Sequence, residues 1–208
     1  MAAASGPGVN GETREQILRA ALRAFAEKGF DGASTRAIAT AAGAHHGLIR
    51  HYFGSKQKLW QAAVDRAFAE LEAELTALLD DDSIEDDRER AARVIRAHIR
   101  YVARNPEFVR LMHEEGKRRG PRMRWIADRH VKPLYESFRR LVERAERQGV
   151  LSVEMAPLHF FYVMAGATGV IFHQAEECKR VTGVDPFDPK VVEEHVRIVE
   201  RLLLGESE

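Results

Sequence analysis

A single cysteine, Cys178, stands among 208 residues, which excludes a disulfide framework and any site built from clustered thiolates. Glycine (15) and proline (7) are too few and too scattered for a collagen-like or low-complexity chain. An excess of one charge is lacking as well. Lys and Arg total 32 and Asp and Glu total 32, so the whole molecule carries no field that selects a partner. The longest apolar run, residues 160–172, falls short of the roughly 18 residues of a membrane span, so no membrane partner is expected. The opening MAAASGPGVNG has no basic stretch followed by an apolar one, and a cytoplasmic location is expected. What is present is 45% hydrophobic and 31% charged residues, the balance of a folded chain long enough to bury a sizeable core.

The zero net charge conceals an asymmetry. Residues 1–60 hold eight Lys and Arg against four Asp and Glu, a surplus of +4, and add His45, His46 and His51. Residues 61–208 carry the compensating −4. A basic N-terminal segment on a neutral protein fits a polyanion-binding head joined to a separate body.

Helical spacing dominates the chain, and the fold class expected is all-α. Residues 1–11 read as a flexible tail. From Thr13 the apolar positions Ile17, Leu18, Ala21, Leu22, Phe25 and Ala26 recur at helical intervals up to Lys28-Gly29, a basic last turn and a glycine stop. Ser34-Thr35 opens a second helix that runs to Ala42, and a third spans about 45–52 before Gly54. Ser55 caps a long fourth helix with Trp60, Val64, Phe68, Leu71, Leu75 and Leu78 on one stripe. An acidic solvated connector follows at 80–87, then helices at about 88–104, 106–118, 122–147, 157–180 and 188–204. Pro133 is expected to kink or split the 122–147 segment.

The most informative spacing lies between Thr35 and Phe53. Two short helices pack closely only where the crossing residue is small, and Ala39 supplies that. Gly43, four residues on, tolerates the positive φ of a tight turn. Ile49, six residues later, gives the second helix an apolar side chain to bury against the first. These are the steric demands of a helix-turn-helix at about 34–53. The outer face of its second helix carries His45, His46, Arg50 and His51, donors suited to phosphates and base edges.

The stretch from TREQILRAALRAFAEKGF through STRAIATAAGAHHGLIRHYFGSKQKL resembles the N-terminal DNA-binding domain of TetR-type transcriptional regulators. The matching landmarks are Ile17-Leu18 with Ala21 and Phe25, Lys28-Gly29-Phe30, Ile38-Ala39 with Ala42-Gly43, and Tyr52-Phe53 followed by Ser55-Lys56 and Leu59. Arg50 departs from the pattern, standing where such regulators usually carry an aromatic residue that meets the DNA backbone. The resemblance implies a head at 12–58 and a ligand-binding and dimerisation body at 59–208. It implies double-stranded DNA as partner, a palindromic operator and a repressor's action. DNA contacts are then expected from Thr35 and Arg36 at the start of the second helix. His45 and His46 would read bases, and Gly47 and Leu48 would allow close approach to the groove. Arg50, His51 and Tyr52 would meet the backbone, and Lys56 beside the Ser55 cap would clamp a phosphate.

In the body, the helix of residues 160–172 is apolar on nearly every side, and its Ala165, Gly166, Ala167 and Gly169 permit close helix contact. The last helix has two apolar stripes, Val191, His195, Ile198 and Leu202 beside Val192, Val196, Val199 and Leu203. One stripe closes a bundle; the second calls for a partner. A homodimer through the last two helices is therefore expected, as the resemblance also implies. Phe108, Met112, Trp125, Tyr135, Phe161 and Phe172 are the candidate lining of a pocket for a small, largely apolar effector.

Enzymatic readings find little support. The sequence has no glycine-rich phosphate loop, no nucleophile motif, and no base placed for Cys178, so no catalytic residue and no cofactor is expected. No metal site is expected either: His113-Glu114-Glu115 lacks the second half of a zinc-binding pattern, and adjacent His45 and His46 diverge by about 100° on a helix. A purely architectural DNA-binding protein has no use for so large a body.

Overall fold

The computed structural model describes residues 7–79, 81, 83–151 and 154–205, and no strand occurs among them. Two compact units emerge, one from residues 1–69 with 110–118, the other from residues 70–109 with 119–208.

The first unit is built on α1 (Pro7–Gly32), α2 (Thr35–Ala41), α3 (Gly47–Phe53) and the opening turns of α4 (Lys56–Leu79), with the later part of α6 (Pro106–Gly116). Ile17, Leu18, Ala21, Leu22, Phe25 and Ala26 of α1 are all buried, as their spacing requires. α1 starts at Pro7 rather than Thr13, so residues 7–11 continue the helix instead of forming a tail, while 1–6 lie outside the described residues. Proline is accepted in a first turn, and each added residue extends a helix already nucleated. At Gly29 the backbone turns out of helical geometry, with φ 66°. That turn lets Phe30 stack on Phe25 with ring centroids 5.9 Å apart while meeting Trp60 edge-on at 6.4 Å. Leu59, Trp60, Ala63 and Val64 of α4 complete this core, and Glu15 of α1 bonds Arg66 of α4 across it.

In the second unit α5 (Asp87–Arg104) is central, packed by α8 (Lys132–Arg147), α9 (Pro157–His173) and α11 (Pro189–Leu204), with α10 (Ala175–Thr182) on α9. Its buried face runs Ala91, Ala92, Val94, Ile95, Ile99, Val102. The acidic segment expected as a solvated linker is partly a structural joint, although Asp80 and Asp82 lie outside the described residues. Ile84 is buried, the Asp86 side chain caps α5 by accepting the Arg88 N–H at 2.8 Å, and buried Asp87 pairs with Arg144 at 3.2 Å. Buried Arg90 donates to the carbonyls of Leu78 at 3.0 Å and Leu79 at 3.2 Å, satisfying acceptors that the end of α4 leaves open.

Two more expectations meet the structure here. The 122–147 segment is split, by a wide turn just ahead of Pro133 rather than at the proline itself. α7 (Pro121–Ile126) passes through a wide π turn at Ala127–Val131 into α8, where Pro133 occupies the first turn. The wide turn re-spaces the hydrogen bonds, and the Lys132 N–H reaches back to the Ala127 carbonyl, so a residue without an N–H follows harmlessly. The expected 157–180 helix does divide: α9 stops at His173, Gln174 leaves helical geometry at ψ 31°, and α10 begins at Ala175. No glycine or proline marks that break.

Two histidines bond α9 from either side. The His98 ring of α5 bonds Thr168 Oγ1 at 2.9 Å, and His195 Nε2 of α11 donates to the neighbouring Ala167 carbonyl at 2.8 Å. Burial disfavours the imidazolium, pulling His98 from 6.5 to about 4 and lowering His195 less far. Because the unfolded chain takes up the His98 proton first, the contribution of that ring is complete above pH 6.5 and drains away as pH falls towards 4. Urea unfolding at pH 7.5 and pH 4.5 is expected to show a loss of about 2–3 kcal/mol that His98→Gln removes. Equal pH slopes for both proteins would discard this account.

Candidate nucleic-acid interface

The helix-turn-helix is assembled from local chemistry. The Ser34 side chain caps α2 by accepting the Ala37 N–H at 3.4 Å, so Thr35 is the first helical residue and its hydroxyl is left for other work. Gly43 turns the chain at φ 63°, and Ile38, Ala39 and Ile49 close the contact between the two helices. α3 begins at Gly47, two residues later than the spacing suggests, because the His45 ring supplies the cap: its Nδ1 accepts the Gly47 N–H at 3.2 Å. An accepting Nδ1 requires the neutral ring to carry its proton on Nε2, which leaves a donor on the exposed side of His45. A Cβ at position 47 would come within 3.2 Å of that Nδ1, so Gly47 makes room for the cap.

His46 is exposed, and its Nε2 lies 3.2 Å from Thr35 Oγ1, a bond that ties the start of α3 back to the start of α2. Arg36, Gly47, Arg50 and His51 are exposed, while Leu48 and Tyr52 are half-buried. His51 and Tyr52 meet edge to face at 5.2 Å. Lys56 is more constrained than the sequence implies: its ammonium donates to the Asp31 carbonyl at 3.2 Å and sits 4.9 Å over the Phe30 ring. Ser55 Oγ meanwhile accepts the Lys58 N–H at 3.1 Å, capping α4. Two side chains beside this face were not anticipated. Thr40 is exposed on α2 one turn after Arg36, an i, i+4 relation legible in the sequence. Arg14 lies 5.5 Å over Phe53, a long-range contact with no local signal.

The six candidate pocket residues fall on several elements. Met112 belongs to the first unit and the others to the second. Tyr135 and Phe161 do meet, edge to face at 5.3 Å, and Phe138 joins Phe161 at 5.8 Å. Phe108 instead packs on Tyr101, Trp125 on His130 and Phe172 on Phe187. Phe138 and Phe160, with Ile95 and Leu141, line an apolar slot among α5, α8 and α9 with about 10 Å³ of free space, room for a single water at most. An open cleft of about 570 Å³ between the start of α5 and the end of α11 is charged, with Arg96 bidentate on Glu200 at 2.7 and 2.8 Å and Arg88, Arg197 and Arg201 around it. None of the six lines either space.

The last helix separates its two stripes in its later turns, while Val191, Val192 and His195 are half-buried. Val196, Val199 and Leu203 are buried, whereas Ile198 and Leu202 are 56% and 61% exposed. On α9, Leu158, Tyr162, Val163 and Val170 are exposed as well. Among the described residues no helix is long and apolar enough to cross a membrane, and no cluster of three metal-ligating side chains occurs.

Comparison with known proteins agrees with this geometry. Residues 17–63 match the family described as bacterial regulatory proteins, tetR family, and residues 88–202 match the tetracyclin repressor-like C-terminal domain. The HTH-type transcriptional repressor NicS of Pseudomonas putida is 30% identical over 161 residues, 74% of this chain and 72% of that protein. The HTH-type transcriptional repressor AcnR of Corynebacterium efficiens is 46% identical over 50 residues, 24% of this chain and 27% of the other. Among solved structures, AibR in complex with isovaleryl coenzyme A and operator DNA superposes with a TM-score of 0.75 at 19% identity, covering 94% of this chain and 100% of that one. With an exposed histidine- and arginine-bearing helix-turn-helix and a family match in each half of the sequence, the chain belongs to the TetR family of DNA-binding transcriptional regulators.

Proposed function

We propose that the protein is a cytoplasmic, non-enzymatic repressor that binds a palindromic operator as a homodimer and releases it when a small, largely apolar effector enters the body. The exposed recognition helix carries this reading: His45 Nε2–H, His46, Arg50 and His51 present donors beside Gly47, where the backbone approaches a groove without a side chain in the way. Residues 12–58 serve as the head and 59–208 as the body. The dimer is formed by α9 and α11, because exposed Leu158, Tyr162, Ile198 and Leu202 form an apolar surface of the kind that marks an interface. The apolar residues between α5, α8 and α9, with the adjoining Tyr135–Phe161 pair, have the chemistry an apolar effector needs. Repression is supported by the relatives NicS and AcnR, both repressors, and effector binding by AibR, solved with isovaleryl coenzyme A.

Selection of bound duplexes from a random pool tests this reading. Dyad-symmetric sites with salt-sensitive affinity are expected. On a selected duplex, Lys56→Ala weakens cognate and scrambled DNA alike, whereas His46→Ala costs about 1–3 kcal/mol on the cognate only. Selected sites without dyad symmetry overturn the dimeric regulator, and equal losses on both duplexes for His46→Ala remove that residue from base reading.

A further inference from the structure

Of the three histidines at 45, 46 and 51, His45 has a ring nitrogen committed to a backbone N–H. Its Nδ1 accepts from Gly47 at 3.2 Å, and the ring can sit there because position 47 has no Cβ to displace it. His46, immediately ahead of α3, makes no side-chain cap of its own, so the His45 bond takes that place.

The committed nitrogen settles the chemistry of the other one. A neutral imidazole carries a single ring proton, and with Nδ1 accepting, that proton is on Nε2 of an exposed side chain. A histidine without such a bond can shift its proton and turn Nε2 into an acceptor. His45 does so only by giving up the bond that opens α3. His46 is under no such constraint, because its partner Thr35 Oγ1 is a hydroxyl that donates or accepts. His45 therefore offers a donor where a base edge arrives. In the major groove guanine sets two acceptors, N7 and O6, side by side. Adenine places an amino group next to its N7, thymine has a methyl group near its O4, and cytosine presents an amino group. An amino group meeting Nε2–H is a donor facing a donor.

We infer that His45 is a specificity-determining residue whose Nε2–H requires a guanine at one position of each half-site. This rests on the regulator reading above and names the base chemistry that the start of α3 accepts. The bond to Gly47 is the device that keeps the ring from turning acceptor and tolerating an amino group.

The test uses the full-length protein and the duplex that the wild type selects, remade with each of the four base pairs at every half-site position. The wild type is expected to prefer guanine about tenfold at the position facing residue 45. Exchanging that guanine for 7-deazaguanine, which keeps its pairing and O6 but lacks N7, is expected to cost about fivefold. His45→Ser retains an oxygen that can accept the N–H two residues on, but it does not reach a base, so the melting temperature stays close to that of the wild type. In this variant the four base pairs at that position are expected to bind within about twofold of one another, with no penalty for 7-deazaguanine. A wild type that selects duplexes without a guanine requirement overturns the inference and leaves the regulator reading in place. So does a His45→Ser protein that keeps every guanine preference of the wild type, or one that loses equally on all four duplexes, since the ring then serves α3 alone. A wild type that selects no duplex at all removes the regulator reading and the inference together.

Discussion

Replacing Ile198 and Leu202 together with glutamate is expected to leave a folded monomer that has lost operator binding. Both side chains lie more than half exposed, while Val196, Val199 and Leu203 on the same helix hold the core at 2–4% exposure, so the inward packing is untouched. In a two-fold interface each substitution appears twice, which brings four carboxylates into an apolar contact. The head of a monomer still meets one half-site, but the second contact ceases to be intramolecular. The expected loss is about 100- to 10,000-fold in affinity for the full site. Sedimentation velocity, circular dichroism and duplex binding check the three parts. A double variant that remains dimeric, or a monomer that binds as tightly as the wild type, refutes the assignment of this face.

The second large effect is expected inside the core of the first unit. Trp60 has no exposed surface and packs edge-on against Phe30, which in turn stacks on Phe25. Truncation to alanine removes the largest side chain of a small core and leaves a cavity between α1 and α4, whose register Glu15–Arg66 and Lys56–Asp31 bond in place. A cost of about 3–5 kcal/mol follows, a large share of the stability available to a unit of this size. Urea unfolding followed by far-UV circular dichroism is expected to show an early transition for the first unit in Trp60→Ala, with DNA binding lost in parallel, while Trp60→Phe retains most of both. A midpoint shift worth less than about 1 kcal/mol contradicts the packing argument.

The head was the most legible part of the chain because its determinants are local. Ala39, Gly43 and Ile49 act within one helix pair, at fixed offsets, and each satisfies a steric demand that a few neighbouring residues define. The exposed and buried stripes of α11 were legible for a similar reason, since periodicity alone separates Ile198 and Leu202 from Val196, Val199 and Leu203. The partners of the candidate lining residues were not legible. Aromatic residues at helical spacing say that a side chain faces inward, and which ring it meets depends on helices distant in sequence. Phe108 goes to Tyr101 and Phe172 to Phe187, while Tyr135 and Phe161 meet each other.

By itself, then, the sequence determined the helical class, the reading head with its glycine turn, and a last helix apolar on two sides, because spacing and backbone freedom are properties of neighbouring residues. Tertiary structure alone decided that His45 caps α3 while His46 bonds Thr35, that Lys56 is tethered to Asp31, that a π turn absorbs Pro133, and that His130 reaches Glu72. Each of these is a hydrogen bond or a helix register settled by competition among groups that folding brings together. Helical periodicity carries no term for a partner 58 residues away.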